Sequence, residues 1–142
     1  MKQRETLVIQ SEPDKVVLVD EWAERIAKEM RFSPDERFDI AISVTEAVNN
    51  AIVHGNRGDR SKRVVIEFVK KENELVVLVR DEGNGFNHRL IYDPTTPENL
   101  MKPSGRGLLI IRTLMDEVRF QSLKEGMEVI LIKRKKVKAR SK

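Results

Sequence analysis

The sequence contains no cysteine, and its only histidines are His54 and His88. The chain therefore forms no disulfide bond, has no thiolate nucleophile and lacks the ligand set of a typical zinc site. No apolar run approaches the roughly 18 residues of a membrane-spanning helix, and the first residues lead into no apolar signal region. We therefore expect a protein of the reducing cytoplasm that does not enter a membrane.

Charged residues, in contrast, are abundant: they make up 35% of the 142 residues, against 39% hydrophobic residues, which is typical of one globular domain. The net charge of +4 originates at residues 133–142, which contain seven lysines and arginines and leave 20 basic and 23 acidic residues elsewhere. Such charge blocks are usually disordered, and no aromatic residue lies among these charges to stack on bases. We predict a domain at 1–134, a basic disordered tail at 135–142 and no direct nucleic-acid partner.

Hydrophobic periodicity predicts alternating strands and helices. The predicted strands are residues 4–10, 63–70, 74–80, 117–123 and 127–133, and the predicted helices are residues 12–31, 34–55 and 107–116. These elements favour an α/β (α+β) fold, a two-layer sandwich in which helices cover one face of a mixed, mostly antiparallel sheet. Residues 87–104 contain three prolines and little periodicity, so we predict a mobile lid over a functional site.

The helix predicted at 34–55 has a clear start signal, because Ser33 can cap it, Pro34 suits its first position and Glu36 completes a capping box. Its apolar residues should face the sheet: Phe38, Ala41, Val44, Thr45, Val48, Ala51 and Ile52. Its polar residues should form the opposite stripe: Asp39, Ser43, Glu46, Asn50 and His54. Asn49 and Asn50 are poor helix formers, and their adjacency indicates a side-chain role.

Glu46 and Asn50 lie one helical turn apart on the same face of that helix. The carboxamide oxygen of Asn50 suits a hard cation such as magnesium, which prefers oxygen ligands and keeps several waters beside substrate phosphates. The Glu46 carboxylate can accept a proton from a nucleophile that attacks such a phosphate. The pair predicts a phosphoryl-transfer site, with an ordinary solvated helix face as the alternative.

A second polar patch follows the strand predicted at 74–80. Asp81 comes first, and Gly83 and Gly85 then flank Asn84. Glycines let a flat ligand approach the backbone, and a buried Asp81 carboxylate can accept hydrogen bonds from an exocyclic amine. A simple glycine turn is the alternative, but the position between a strand and the predicted lid favours a ligand site.

The third patch is Gly105-Arg106-Gly107-Leu108, a glycine-flanked turn that opens the apolar helix predicted at 107–116. Backbone N–H groups at a helix start can bind phosphate oxygens, and Arg106 either adds charge-assisted hydrogen bonds or serves the lid or a partner. Neither glycine patch is a P-loop or a dinucleotide fingerprint, because the Walker lysine and the strand-first Gly-x-Gly-x-x-Gly context are missing.

Together, the three patches resemble the motifs of the Bergerat ATP-binding fold of the GHKL superfamily, shared by type II topoisomerases, a heat-shock chaperone, sensor histidine kinases and mismatch-repair ATPases. Within it, the chain from about Glu5 to Lys133 resembles the small anti-sigma factor serine/threonine kinases of the RsbW and SpoIIAB type. The resemblance implies these roles: Asn50 binds magnesium, Glu46 is the catalytic base, Asp81 binds the adenine amino group, Gly83 and Gly85 shape the adenine pocket, and Gly105, Arg106, Gly107 and Leu108 belong to the phosphate site beneath the lid.

The resemblance also implies a function. Such kinases use ATP and magnesium to phosphorylate a serine or threonine of an anti-anti-sigma (STAS-type) protein, bind a sigma factor in the alternative state, and are commonly homodimers.

Similar kinases often have threonine after the glycine that precedes the last strand, where this chain has Gly126-Met127, so a water-mediated adenine contact through that hydroxyl is not expected. The alternative function is a nucleotide-gated protein-binding module with little or no kinase activity. The catalytic part of a histidine kinase is disfavoured, because no phosphoacceptor helix pair precedes the domain.

Overall fold

The computed structural model describes residues 3–83 and 103–136, without the side chains of residues 103–106 and 108. In chain order its elements are β1 (Gln3–Gln10), a 3-10 turn (Pro13–Lys15), α1 (Val16–Glu29), α2 (Pro34–Asn50) continued by a π-helical turn (Ala51–Gly55), β2 (Arg63–Lys70), β3 (Glu74–Arg80), α3 (Pro103–Leu114), β4 (Glu117–Ser122) and β5 (Met127–Arg134). The strands and helices predicted from the sequence are confirmed, with ends that differ by a few residues.

The strands form one sheet in the order β1-β2-β3-β5-β4, and each described pairing is antiparallel. The register of β3 against β5 pairs Arg80 with Glu128, so Asp81, just after β3, lies beside Met127 at the start of β5. The N–H of Asp81 donates to the Met127 carbonyl at 3.1 Å. The helices cover one face of this sheet, which confirms the predicted two-layer sandwich.

The core lies between the sheet and the helices. α2 packs against α1 on one side and against α3 on the other. The largest fully buried side chains come from every helix and from the three central strands: Ile26, Ile40, Ile52, Ile66, Phe68, Leu75, Ile111, Met127 and Leu131. Among the helices of the described ranges, none combines the length and the hydropathy needed to cross a membrane.

The orientation predicted for α2 is wrong at three positions. Phe38, expected to face the sheet, is 65% exposed, whereas Ser43 and Asn50, expected on the stripe opposite the sheet, are 0% and 7% exposed. The physical reason is that α2 contacts the sheet, α1 and α3, so a pattern with one buried face does not describe it. The stripe that carries Glu46 and Asn50 therefore faces a neighbouring helix rather than open solvent.

The capping box predicted at the start of α2 is confirmed. The N–H of Glu36 donates to Ser33 Oγ at 3.2 Å, and the N–H of Ser33 donates to Glu36 Oε1 at 2.8 Å. Glu36 Oε2 accepts the N–H of Lys136 at 3.0 Å, and the N–H of Lys135 donates to the Asn73 carbonyl at 2.9 Å. The first two residues of the predicted tail thus lie against the domain, and residues 137–142 lie outside the described part.

α3 begins at Pro103, earlier than the predicted start at residue 107, because proline fits the first turn of a helix. Gly105, Arg106 and Gly107 therefore lie within the helix, where we had predicted a turn before it. Of the predicted lid, residues 87–102 lie outside the described residues.

The C-terminal end of α3 is fixed by a buried lysine of β5. Lys133 Nζ donates to the Leu114 carbonyl at 2.5 Å and lies 3.2 Å from the Asp39 carboxylate of α2. A cation at the C-terminus of a helix is stabilised by the helix dipole. Lys133 therefore joins α3 to α2 and to the sheet.

Candidate functional site

The first polar patch lies on one continuous helical segment, α2 and the π-helical turn that follows it. In this turn the N–H of Asn56 donates to the Ala51 carbonyl at 2.8 Å, a bond between residues five apart. Single π turns interrupt helices at functional sites more often than elsewhere. Here the turn places Gly55 where it contacts the residue that follows β3.

That residue is Asp81, which is only 4% exposed. Its Oδ1 atom accepts the backbone N–H of Gly83 at 3.0 Å and of Met127 at 3.1 Å. Its Oδ2 atom lies on the side of Gly55, where an added Cβ would come within 2.2 Å of it. The carboxylate is therefore held by backbone donors in a fixed orientation.

Two further glycines allow the backbone to close around Asp81. A Cβ on Gly83 would lie 1.7 Å from the Gly55 carbonyl oxygen, and a Cβ on Gly126 would lie 2.1 Å from the Asp81 carbonyl oxygen. Gly126 also has a φ of 96°, in the left-handed region that side chains disfavour. We refer to Gly55, Asp81, Gly83 and Gly126 as the Asp81 cluster.

A second group of site residues forms between α2 and α3. A Cβ on Gly107 would lie 2.7 Å from Glu46 Oε2 and 3.8 Å from Asn50 Nδ2. Gly107 and Asn50 are buried, whereas Glu46 is half-buried. The absence of a side chain at Gly107 therefore leaves room for the Glu46 carboxylate. We refer to Glu46, Asn50 and Gly107 as the Glu46 cluster.

The donor atoms of the Glu46 cluster determine which metal it suits. Among the described residues, no three His, Cys, Asp or Glu side chains lie together as a metal site. Magnesium requires no such group, because it commonly binds one or two protein oxygens together with waters and substrate phosphates. The buried amide of Asn50 beside the carboxylate of Glu46 fits a magnesium ion that arrives with a phosphate ligand.

Five of the predicted site residues thus lie in the two clusters: Glu46, Asn50, Asp81, Gly83 and Gly107. Gly105 lies within the first turns of α3. Gly85 and the side chains of Arg106 and Leu108 lie outside the described part of the structure. Their roles stay predictions.

Sequence reasoning missed several residues around Asp81. Gly55 was interpreted as the end of a helix, and Gly126 as a turn glycine before the last strand. The sequence holds no signal that either contacts Asp81, because both contacts depend on the tertiary fold. His54, one residue before Gly55, is half-buried, and this burial lowers the pKa of its imidazole.

Comparisons with family models and with known proteins agree on one family. Residues 9–133 match the model of the family described as histidine kinase-like ATPase domain. The chain is 32% identical over 131 residues to the serine-protein kinase RsbW of Bacillus subtilis strain 168, covering 88% of this chain and 81% of that protein. It is 33% identical over 132 residues to RsbW of Bacillus licheniformis, covering 87% and 80%.

A solved structure supports the fold independently. The crystal structure of the RsbU and RsbW domains of Rv1364c from Mycobacterium tuberculosis matches 93% of this chain with a TM-score of 0.69 and 17% sequence identity. The match covers 32% of that longer chain. The resemblance inferred from the three motifs is therefore confirmed: this chain belongs to the histidine kinase-like ATPase domain family and, within it, to the RsbW serine-protein kinases.

Proposed function

We propose that this protein is an ATP-dependent serine/threonine kinase that acts in the cytoplasm as an anti-sigma factor in a partner-switching system. The observation that carries the proposal is that one helical segment contributes to both clusters: Gly55 at its C-terminal end lies against the Asp81 carboxylate, and Glu46 and Asn50, within the preceding three turns, lie against Gly107 of α3. The named kinases, which are 32% and 33% identical over 88% and 87% of this chain, support it. Its substrates are ATP and a serine or threonine of an anti-anti-sigma (STAS-type) protein.

The Asp81 cluster would bind adenine. Gly83 and Met127 donate to Oδ1 and fix the orientation of the carboxylate, and a carboxylate so oriented is suited to accept the exocyclic amino group of the base. The glycines around the carboxylate allow a flat ring to approach the backbone. The buried position of Asp81 strengthens such a hydrogen bond, because water competes poorly there.

The Glu46 cluster would bind the triphosphate and carry out the transfer. The start of α3, with Gly105 in its first turn, would direct free backbone N–H groups toward the phosphates, and Gly107 would leave room there for the Glu46 carboxylate. Asn50 would hold magnesium, which supplies charge neutralisation at the phosphates when bound. Glu46 would accept the proton of the attacking serine or threonine hydroxyl. The hydroxyl oxygen then bonds to the γ-phosphorus while the bond from that phosphorus to the departing ADP breaks.

We also propose that the protein forms a homodimer and binds a sigma factor in its alternative state. In the described sheet β1 is an edge strand, paired only with β2. Apolar side chains are exposed on β1 and at the start of α1: Val8 at 49%, Val17 at 62% and Leu18 at 43%. An edge strand with an exposed valine is a surface that a second copy can cover.

The test separates binding from transfer. Calorimetry should show magnesium-dependent ATP binding that Asp81→Asn abolishes, because the new amide group would donate where adenine also donates. Glu46→Gln should retain ATP affinity and lose phosphorylation of a purified anti-anti-sigma partner. Normal transfer by Glu46→Gln would refute the assignment of the base. If the wild type binds its partner only in the presence of ATP and does not phosphorylate it, the alternative function of a nucleotide-gated binding module would be favoured.

A further inference from the structure

Asn56 is a buried side chain that neither cluster includes. It follows directly on the π-helical turn and is 1% exposed. Its Nδ2 atom donates to Ser11 Oγ at 2.7 Å and to the Arg63 carbonyl at 2.9 Å, while its Oδ1 atom accepts the backbone N–H of Glu82 at 2.7 Å. One amide thus joins the end of β1, the start of β2 and the loop after β3.

The bond to Glu82 acts on the loop that fixes Asp81. Glu82 lies between Asp81 and Gly83, whose N–H donates to Asp81 Oδ1. Asn56 therefore holds the peptide plane between Asp81 and Glu82. The next peptide plane carries the Gly83 N–H that donates to the Asp81 carboxylate. Gly83 in turn packs against the carbonyl of Gly55, the residue that precedes Asn56.

The Glu82 side chain strengthens the same attachment. Its Oε1 atom accepts the N–H of Arg63 at 2.6 Å, and its Oε2 atom lies 3.2 Å from the Arg63 guanidinium group. The N–H bond of Arg63 lowers the pKa of Glu82 more than any other contact does. Arg63 is therefore bound both by Asn56 and by Glu82. The loop after β3 is held through the Glu82 backbone by Asn56 and through the Glu82 side chain by Arg63.

From this geometry we infer that Asn56 is a positioning residue that sets the orientation of the Asp81 carboxylate and, through it, the preference for adenine over other bases. The inference rests on the proposed function, because it needs adenine at Asp81. Asn56 does not contact the base itself. Its bond to the Glu82 N–H determines where the acceptor atom of Asp81 lies.

Base preference is the measurement that separates positioning from stability. Inosine triphosphate has a carbonyl oxygen where ATP has its exocyclic amine, so it gains nothing from a correctly placed acceptor. Asn56→Ala should lower the ratio of ATP affinity to inosine triphosphate affinity by about tenfold, the loss expected for one buried hydrogen bond. An equal loss for both nucleotides, with the ratio unchanged, would overturn the inference.

Two further variants serve as matched controls. Ser11→Ala removes one partner of the Asn56 amide but keeps the bond to Glu82, so it should destabilise the protein and preserve the ratio. Asn56→Asp retains an acceptor for the Glu82 N–H and loses the two donated bonds, so it should also preserve the ratio. If Asn56→Ala does not fold, Asn56→Ser, which is too short to reach Glu82, takes its place.

Hydrogen exchange without nucleotide provides an independent readout. Asn56→Ala should speed exchange at the amides of Glu82 and Gly83, whereas Ser11→Ala should leave them protected. If exchange at the Glu82 and Gly83 amides is unchanged in Asn56→Ala, the inference is overturned, even if the wild type binds ATP normally. A wild type that binds neither nucleotide would refute the proposed function, and the role in base preference would fall with it.

Discussion

The two clusters differ in what holds them together. At the Asp81 cluster the contacts are made by backbone: two N–H groups fix Oδ1, and three glycines close around the carboxylate. At the Glu46 cluster the contacts are made by side chains of α2 against one glycine of α3. The first arrangement cannot adapt without moving strands, whereas the second can change by rotating one side chain. In terms of the proposed roles, the cluster assigned to adenine recognition is rigid and the cluster assigned to phosphoryl transfer is adjustable.

The same substitution, glycine to alanine, should therefore have opposite effects at the two clusters. Gly126→Ala should cost about 3–4 kcal/mol of stability, because it combines a left-handed φ with a clash against the Asp81 backbone. Gly58→Ala is the matched control: its φ is 69°, but no atom lies within 4 Å of the added Cβ, so it should cost only about 1–2 kcal/mol. Chemical denaturation measures both, and equal losses would contradict the steric role of Gly126.

Gly107→Ala should leave the fold intact and impair transfer. The added Cβ meets the far end of the Glu46 side chain at 2.7 Å, which can rotate away, and alanine is more favourable than glycine within a helix by about 1 kcal/mol. Because Glu46 is the proposed base, displacing its carboxylate should lower phosphorylation of the partner by about 100-fold. Denaturation and partner phosphorylation are measured on the same preparation. An active Gly107→Ala variant would show that Glu46 need not occupy its observed position.

The buried lysine of β5 should matter for α3 more than for the Asp81 cluster. Lys133→Met removes the donor to the Leu114 carbonyl and the partner of Asp39, at an expected cost of about 1–3 kcal/mol. Hydrogen exchange should become faster along α3 while the Gly83 amide stays protected. Lys71→Met, which removes an exposed pair with Glu74, should cost less than about 1 kcal/mol. Loss of protection at Gly83 in Lys133→Met would indicate that the clusters are not independent.

The smallest effect should come from a carboxylate outside both clusters. Hydrogen bonds from Arg25 and Lys70 lower the pKa of Glu5 from 4.5 to about 2. Since the pKa is lowered in the folded state, the stabilisation is present above pH 4.5 and is lost as the pH falls toward 2. The groups are partly exposed, so Glu5→Gln should cost less than about 1 kcal/mol at neutral pH and reduce the loss of stability in acid. Glu72→Gln serves as the control, and identical acid denaturation curves for both variants would contradict this assignment.

The strands were predictable because each combines β-branched residues with a turn signal at its end, as in the hairpin that joins β2 and β3. The start of α2 was predictable for a similar reason, since the capping box is a local motif around Ser33 and Glu36. The orientation of α2 was not, because its contacts with α3 bury Ser43 and Asn50 while Phe38 projects into solvent. A periodic pattern describes one buried face and carries no information about a second neighbour.

The chemistry of the site was more accessible from the sequence than its shape. Asn50 was predicted as a site residue because asparagine is a poor helix former, and Glu46 because it lies one turn earlier on the same face. Asp81 was predicted because it stands between a strand end and two glycines. Gly55 and Gly126 were not predicted, since a glycine at the end of a helix or in a hairpin has an ordinary local explanation. Asn56 was missed as well, because its three partners come from distant parts of the chain.

The bond between Asp81 and Met127 also bears on which sequence changes this kinase family can tolerate over evolution. The donor at position 127 is a backbone N–H, which every residue except proline supplies. Apolar side chains can therefore replace one another at this position while the carboxylate remains fixed. At position 126 the opposite holds, since any side chain would displace Asp81. Natural variation among close relatives should accordingly be wider at residue 127, within what its buried position accepts, than at residue 126, where it should be nearly absent.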